Sequence, residues 1–235
     1  DDVESRGLGD VYKRQQMDRA ARETGRTGAD VILVGASKMN DAAACREAIA
    51  AGIDALGENR VQEMTAKLAE NAYEGRPLHF IGHLQRNKVR QVAGRAALIH
   101  SVDSVALARE ISRQAEKLGI VQDVLLEVNV GGEASKSGFS PRELYEAAEA
   151  VRTLPGLAVR GLMTIPPVQT APHGNLPYFE EVSRLYVDIS QKLYDNTFIC
   201  LSMGMSDDFE DAIAAGATMV RVGSAIFGRR QYPTT

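Results

Sequence analysis

Tryptophan is absent and cysteine occurs twice in 235 residues. Two thiols are too few for the disulfide framework of a small secreted scaffold. Cys45 falls in a helical pattern and Cys200 in a strand pattern, with no paired spacing. Both read as buried free thiols of a reducing compartment, and the expected location is the cytoplasm. No apolar run approaches the roughly 20 residues that span a bilayer, and the N-terminal stretch lacks the basic, apolar, small-residue order of a secretory leader. Nor is there an excess of positive charge. Lys and Arg number 27 against 31 Asp and Glu, so no global field points to nucleic acid. The length suits one well-buried domain and leaves little room for a second.

What is present is an alternation. From residue 31 onward, short β-branched and apolar runs alternate with longer helical patterns, the signature of repeated βα units on a parallel sheet. Strands are expected at 31–37, 55–58, 78–82, 98–102, 123–129, 158–164, 198–203 and 219–223. Helices are expected over 41–51, 60–69, 104–118, 141–154, 177–194 and 207–215. Ser140 before Pro141 reads as a helix cap and first position, and Gly52, Gly119 and Gly216 read as helix stops. Eight units with no interrupting domain favour a single closed TIM-type (β/α)8 barrel of the α/β class over an open doubly wound sheet. Residues 17–230 are assigned to that barrel and 231–235 to a C-terminal tail. Gly7, Leu8, Gly9 and Asp10 interrupt any helix, and an amphipathic stretch begins near Met17, so 1–16 reads as a disordered tail or a remnant foreign to the fold.

Polar residues gather where such a barrel puts its active site, at and beyond the C-terminal strand ends: Lys38, Asn59, His83, Asn129, Thr164, Ser206 and Ser224. Lys38 follows Val34 and Ala36 on one strand face. Burial favours the neutral amine of a lysine, which then attacks carbonyls, although a lone lysine at a strand end is ordinarily a solvated charge. Alternation along 219–223 turns Met219, Arg221 and Gly223 inward. An inward guanidinium needs an acceptor. Two stand open: the ring nitrogen of a ligand, or a carboxylate or carbonyl that merely closes the barrel. After the seventh strand Gly204 permits a tight turn and Ser206 precedes a helix, where its hydroxyl and the adjacent amides favour phosphate. Gly223 and Ser224 add donors one strand away. Taken alone, Ser206 is a helix cap. A carbonyl-trapping lysine and a phosphate cradle together suggest pyridoxal phosphate.

Other polar residues have plainer readings. His79 and His83 bracket a strand end rather than share a helix face, so no metal is expected, and His83 is kept as a residue lining the site. His100 and His173 carry no legible role. Arg86, Lys88, Arg90 and Arg95 lack interleaved aromatics and read as a solvated helix face rather than a nucleic-acid surface. Glu58 is expected to cap the following helix or to bond within the barrel, with the cap favoured. The acidic run Asp207, Asp208, Glu210 and Asp211 complements a helix dipole.

Longer motifs then carry a resemblance: VGASK at 34–38, GENRVQE at 57–63, HFIGHLQRNK at 79–88, EVN at 127–129, KSGF at 136–139 and GLMT at 161–164, together with both phosphate segments. Over 31–228 the chain resembles the pyridoxal phosphate homeostasis protein family. The resemblance implies a barrel like the N-terminal domain of alanine racemase and a cofactor imine on Lys38. It also implies a ring nitrogen partnered by Arg221, a phosphate held by Ser206, Gly223 and Ser224, Asn59 near the ring and Met203 close to the cofactor. Gly35 stands where the family usually has valine, and Met39 near a usual threonine; both are expected to change packing around the lysine more than its role. The loop 166–177 departs from the commoner acidic version.

An arginine cannot take a proton from the ring nitrogen, so the ring would be a weak electron sink. Racemases of this type also draw a second acid/base group from another domain, and the chain ends at Thr235 without one. The expectation is therefore a monomeric carrier that stores or delivers pyridoxal phosphate to apoenzymes, with no catalytic residue and no membrane or nucleic-acid partner. The rival is an enzyme, either a slow amino-acid racemase or another lysine-imine enzyme acting on a phosphorylated carbonyl compound.

Overall fold

The structure is a computed structural model, and it describes residues 13–227. Gly228, residues 1–12 of the expected N-terminal tail and the expected C-terminal tail 231–235 lie outside the described residues. Eight parallel strands close in sequence order: β1 (Ile32–Ala36), β2 (Ala55–Glu58), β3 (Leu78–Phe80), β4 (Leu98–Val102), β5 (Gln122–Val128), β6 (Leu157–Thr164), β7 (Cys200–Ser202) and β8 (Met219–Val222). Closure is made by β1 on β8, with Val34 opposite Arg221 and Gly35 opposite Val222. This is the expected barrel.

The period-two alternation of the strands separates two cores. Val34, Ala55, Leu98, Leu125, Met163 and Met219 pack inside the cylinder. Their neighbours in sequence, such as Leu33, Leu56, Ile99 and Val220, pack outward against the helices. Those helices are α1 (residues 13–22), α2 (Ala42–Ala50), α3 (Val61–Ala69), α4 (Val105–Leu118), α5 (Leu144–Arg152), α6 (Leu176–Leu193), α7 (Phe209–Ala214) and the single turn α8 (Ser224–Phe227). In α4 the Ser104 Oγ accepts from Leu107 N at 3.2 Å, and Gly119 stops the helix in the left-handed region at φ 65. Its buried stripe Leu107, Ala108, Ile111 and Ala115 repeats at helical spacing. Ile111→Ala would leave a cavity there and cost roughly 2–5 kcal/mol.

Three boundaries differ from the sequence reading. Helix α1 extends back to residue 13, ahead of Met17, because tertiary contacts hold its first turn: Arg14 Nη2 reaches the Asp54 carboxylate at 2.8 Å and Gln16 Nε2 donates to Glu210 at 3.0 Å. The segment carrying Arg86, Lys88 and Arg90 is a 3-10 helix (Arg86–Gln91) with Val89 its one buried residue. A stretch so poor in apolar residues has no face to bury. Regular α5 begins at Leu144 rather than at 141. Ser140 donates to Glu143 Oε2 from both Oγ (2.6 Å) and N (3.2 Å), and that turn precedes the helix.

Candidate functional site

The C-terminal end of β1 runs straight into a tight turn. Asn40 N bonds Ser37 O at 3.1 Å, enclosing Lys38 and Met39, and Met39 sits at φ 63. That left-handed value is uncommon for a side chain of this size. Glu63 of α3 accepts from Met39 N at 2.8 Å, and the Lys38 carbonyl accepts from Asn40 Nδ2 at 3.1 Å. The half-buried lysine thus rises from a backbone pinned on both sides. Gly35 lies on the outer face of β1, where a Cβ would collide with Ile53 Cδ1. Ile53 has taken the space of the missing side chain, so the exchange is a packing matter and leaves the lysine face untouched.

Barrel closure places β8 and the loop after β7 beside that turn. Gly204, at φ 92, lets the chain double back so tightly that a Cβ would stand 2.6 Å from Ala212 Cβ. Ser206 Oγ then accepts from Gly223 N at 3.4 Å and from Ser224 Oγ at 3.2 Å. Ser206 is therefore not a helix cap. A Cβ on Gly223 would approach Ala36 O at 3.3 Å, so the cradle residues lie directly against the β1 segment that leads to Lys38. The neighbouring acidic run has turned to other partners. Asp208 accepts from Met205 N and Asn175 Nδ2 at 2.7 Å each, Glu210 pairs with Arg19, and Asp211 contacts His173 Nδ1 at 2.7 Å.

Inside the barrel Arg221 is 4% exposed. Its Nη1 donates to Ser202 Oγ at 2.6 Å and its Nη2 to Thr164 O at 2.8 Å. Burial pulls the guanidinium down to about 10, opposed by Glu127 and Asp208, so it stays cationic near neutrality. Ser202 Oγ also meets His100 Nδ1 at 3.0 Å, and His100 Nε2 meets His79 Nδ1 at 3.1 Å. Burial lowers His79 to about 4. His100 is held well below the usual imidazole range by burial, then by His79 and Arg221. Glu127 is pushed up to about 7 by burial and by Asp103, against the pull of Arg221.

A second polar network lies behind the lysine, outside the sheet. Glu58 Oε1 accepts from Ser37 Oγ (2.5 Å), Lys67 Nζ (2.6 Å) and Tyr73 OH (3.2 Å), while Lys67 Nζ also donates to Ser37 O at 2.7 Å. Glu58 therefore neither caps α3 nor faces the barrel. Parity along β2 points it at the helices, where Lys67 answers its charge. Burial, followed by Glu58, raises the Tyr73 phenol far above its ordinary range, so the hydroxyl remains a donor.

Of the residues singled out in the sequence, Ser206, Gly223 and Ser224 meet at the mouth beside β1, Lys38 follows two residues after the Ala36 that Gly223 approaches, and Arg221 lies deeper on β8. Asn59 closes the end of β2, where its backbone fills the space a Cβ on Gly82 would need, and its Oδ1 is a buried acceptor with no partner among the described residues. Met203 departs from expectation. It is fully buried in the layer between sheet and helices, because it shares the outward parity of Leu201. His83 stands exposed at the opposite rim, its Nδ1 3.2 Å from both Ser137 Oγ and Asp103 Oδ2. Sequence reading missed Ser202, His100, His79 and Lys67. The signal for the first three was a polar residue at an inward strand position, in step with Leu98 of β4 and with Arg221.

The donor set fits a phosphorylated pyridine aldehyde. A buried cation with donors only faces inward, two hydroxyls and a backbone amide meet at the rim, and an amine stands on the adjacent strand. Comparisons with known proteins agree. The family model of the alanine racemase N-terminal domain matches residues 16–231. A pyridoxal phosphate homeostasis protein of Aquifex aeolicus is 44% identical over 218 residues, covering 93% of this chain and 95% of that protein. Among solved structures, an unknown protein from Bifidobacterium adolescentis superposes with a TM-score of 0.88 at 38% identity, covering 95% of each chain. PipY of Synechococcus elongatus, with pyridoxal phosphate bound, gives 0.78 at 35% identity, covering 91% of this chain and 100% of its own.

Proposed function

This chain belongs to the pyridoxal phosphate homeostasis protein family, and from that premise we propose that it binds pyridoxal 5′-phosphate covalently at Lys38 and stores or delivers it in the cytoplasm, without catalytic turnover. The observation that supports the reading is the closure of β1 on β8, which brings the β1 segment leading to Lys38 against Gly223, whose N–H and the Ser224 hydroxyl both donate to Ser206 Oγ. When bound, the cofactor supplies an aldehyde that a neutral amine captures with loss of water, and a ring able to withdraw electrons.

Lys38 is that amine, held by the pinned turn. The Ser206 and Ser224 hydroxyls and the Gly223 N–H hold the phosphate, and Asn59 borders the ring. Arg221 donates to the ring nitrogen. Having no proton to accept and none to release at neutral pH, it leaves that nitrogen unprotonated and the ring a weak electron sink, which favours holding over turnover. Release then hands the cofactor to a pyridoxal phosphate-dependent apoenzyme. Borohydride reduction of the loaded protein followed by peptide mass mapping tests the assignment: the label is expected on Lys38 and absent from Lys38→Ala. A label on another lysine would overturn it.

A second reading, slow amino-acid racemisation, rests on Glu127, a carboxyl inside the barrel that burial and Asp103 push up to about 7. Incubating single enantiomers with the loaded protein and following chirality and α-proton exchange separates the two. Turnover that vanishes in Lys38→Ala would favour the enzyme; cofactor transfer without turnover supports the carrier.

A further inference from the structure

We infer that Ser202, His100 and His79 are positioning residues for Arg221, a one-way hydrogen-bond chain that fixes the guanidinium and leaves its remaining N–H groups to the ligand; the inference rests on Arg221 meeting the ring nitrogen as proposed above. The direction of the chain follows from chemistry alone. A guanidinium has no lone pair to offer, so Nη1 donates and Ser202 Oγ accepts at 2.6 Å. Among the described contacts of Ser202, the acceptor within reach of its own hydrogen is His100 Nδ1 at 3.0 Å. His100 Nδ1 must then be the bare nitrogen, and a neutral ring carries its proton on Nε2. That proton points at His79 Nδ1, 3.1 Å away, which must in turn be bare. Each link dictates the next, and Arg221 sets the sense of all of them.

The chain tolerates no extra proton. A proton on His100 Nδ1 would aim a second donor at Ser202 Oγ, strand the hydroxyl hydrogen and place a second cation beside the guanidinium. All four side chains are at most 6% exposed, which keeps both imidazoles neutral. The charged groups that face the chain from neighbouring elements are Arg221 itself, Glu127 on β5 and Asp208 ahead of α7. The second anchor, Nη2 on Thr164 O at 2.8 Å, stops the planar group from rotating about its first. Two fixed donors on one face of the fork are what a bound ring nitrogen needs from an arginine that must stay in place and give up no proton.

The test uses the full chain loaded with pyridoxal phosphate, comparing the parent with Ser202→Ala, His100→Leu and His100→Gln. Absorption maximum, rate of cofactor loss on dilution and borohydride labelling of Lys38 are read together with melting of the cofactor-free protein. In Ser202→Ala and His100→Leu, the label is expected to stay on Lys38, with a displaced maximum and roughly tenfold faster loss, the scale of one bond to a charged group. His100→Gln, which keeps a donor and an acceptor, is expected to recover most of the parental spectrum. Nitrogen-15 NMR of the imidazoles in the cofactor-free parent is expected to show protons on Nε2 of both rings. Melting that falls while spectrum and loss rate stay parental would overturn the inference, as would a proton on His100 Nδ1. A parent that takes up no pyridoxal phosphate would instead sink the functional reading and the role given to Arg221, with the NMR result still deciding the direction of the chain.

Discussion

The polar network outside the sheet at Glu58 and the one inside it at Arg221 are both shielded from water, yet only the first pairs its charges in direct contact. Outside, Lys67 and Glu58 stand 2.6 Å apart with side chains 7% and 0% exposed, and Ser37 and Tyr73 supply further donors. Inside, Arg221 bonds a hydroxyl and a carbonyl, and among the described residues it has no carboxylate within ion-pair distance. The outer network is a brace for the start of the lysine turn, through Ser37. The inner one carries a charge that Glu127 and Asp208 meet only at longer range, as a binding site for an external acceptor would. Burial of charge alone therefore does not distinguish the two networks; a counter-charge in direct contact does.

The largest expected effect breaks the outer pair. Lys67→Met strands a buried carboxylate and should cost about 3–5 kcal/mol by denaturant titration, with much of the loss recovered in Glu58→Leu/Lys67→Met. Arg221→Met should behave oppositely, changing the stability of the cofactor-free protein by less than about 1 kcal/mol while retention of pyridoxal phosphate drops tenfold or more. If Arg221→Met proves as unstable as Lys67→Met, the two networks are alike and the contrast fails.

Acid should probe the inner network next. His79 ionises near 4 in the fold against 6.5 for the free side chain, so the unfolded chain binds the proton more readily. Its contribution is complete above pH 6.5 and is lost as pH falls through about 4, by roughly 3 kcal/mol. Glu127 works in the opposite sense. Raised from 4.5 to about 7, it contributes below the lower value, and that contribution is lost as pH rises through the higher one. Denaturation midpoints across this range should show Glu127→Gln more stable than the parent by about 3 kcal/mol on the alkaline side, converging with it in acid. A parallel offset at every pH would remove Glu127 from the inner network.

The smallest effect lies at the seam between the networks. Met39→Asn relieves a left-handed residue in the turn after Ser37 and should add about 0.5–1 kcal/mol by thermal melting. Cofactor retention is expected to stay parental, since Met39 is 56% exposed.

Much of this was legible in the chain. The inward set of β8 followed from alternation alone, and Gly52, Gly119 and Gly216 all adopt the positive φ expected of helix stops. Ser206, Gly223 and Ser224 meet as their loop positions implied. Where the structure differs, the reason lies in strand parity or in a partner on another element. The resemblance implies Met203 close to the cofactor, but the parity it shares with Leu201 turns it outward. Glu58 reads as a cap of the following helix or a barrel contact, with the cap favoured, but its charge is answered by Lys67, nine residues on and on the same side of the sheet. The sequence pattern starts helix α1 near Met17, whereas its described residues reach back to 13, where Arg14 and Gln16 are held by Asp54 and Glu210.

Local periodicity and turn chemistry, which act over a few residues, were enough to determine eight βα units, the strand faces and the positions of the lysine and the cradle along the chain. Which side chains face one another across the cylinder was decided only by closure and register. Neither the approach of Gly223 to Ala36 nor the descent from Arg221 through Ser202 and His100 to His79 has a local cause. Both require strands far apart in sequence to share one dry interior, where every donor must find an acceptor.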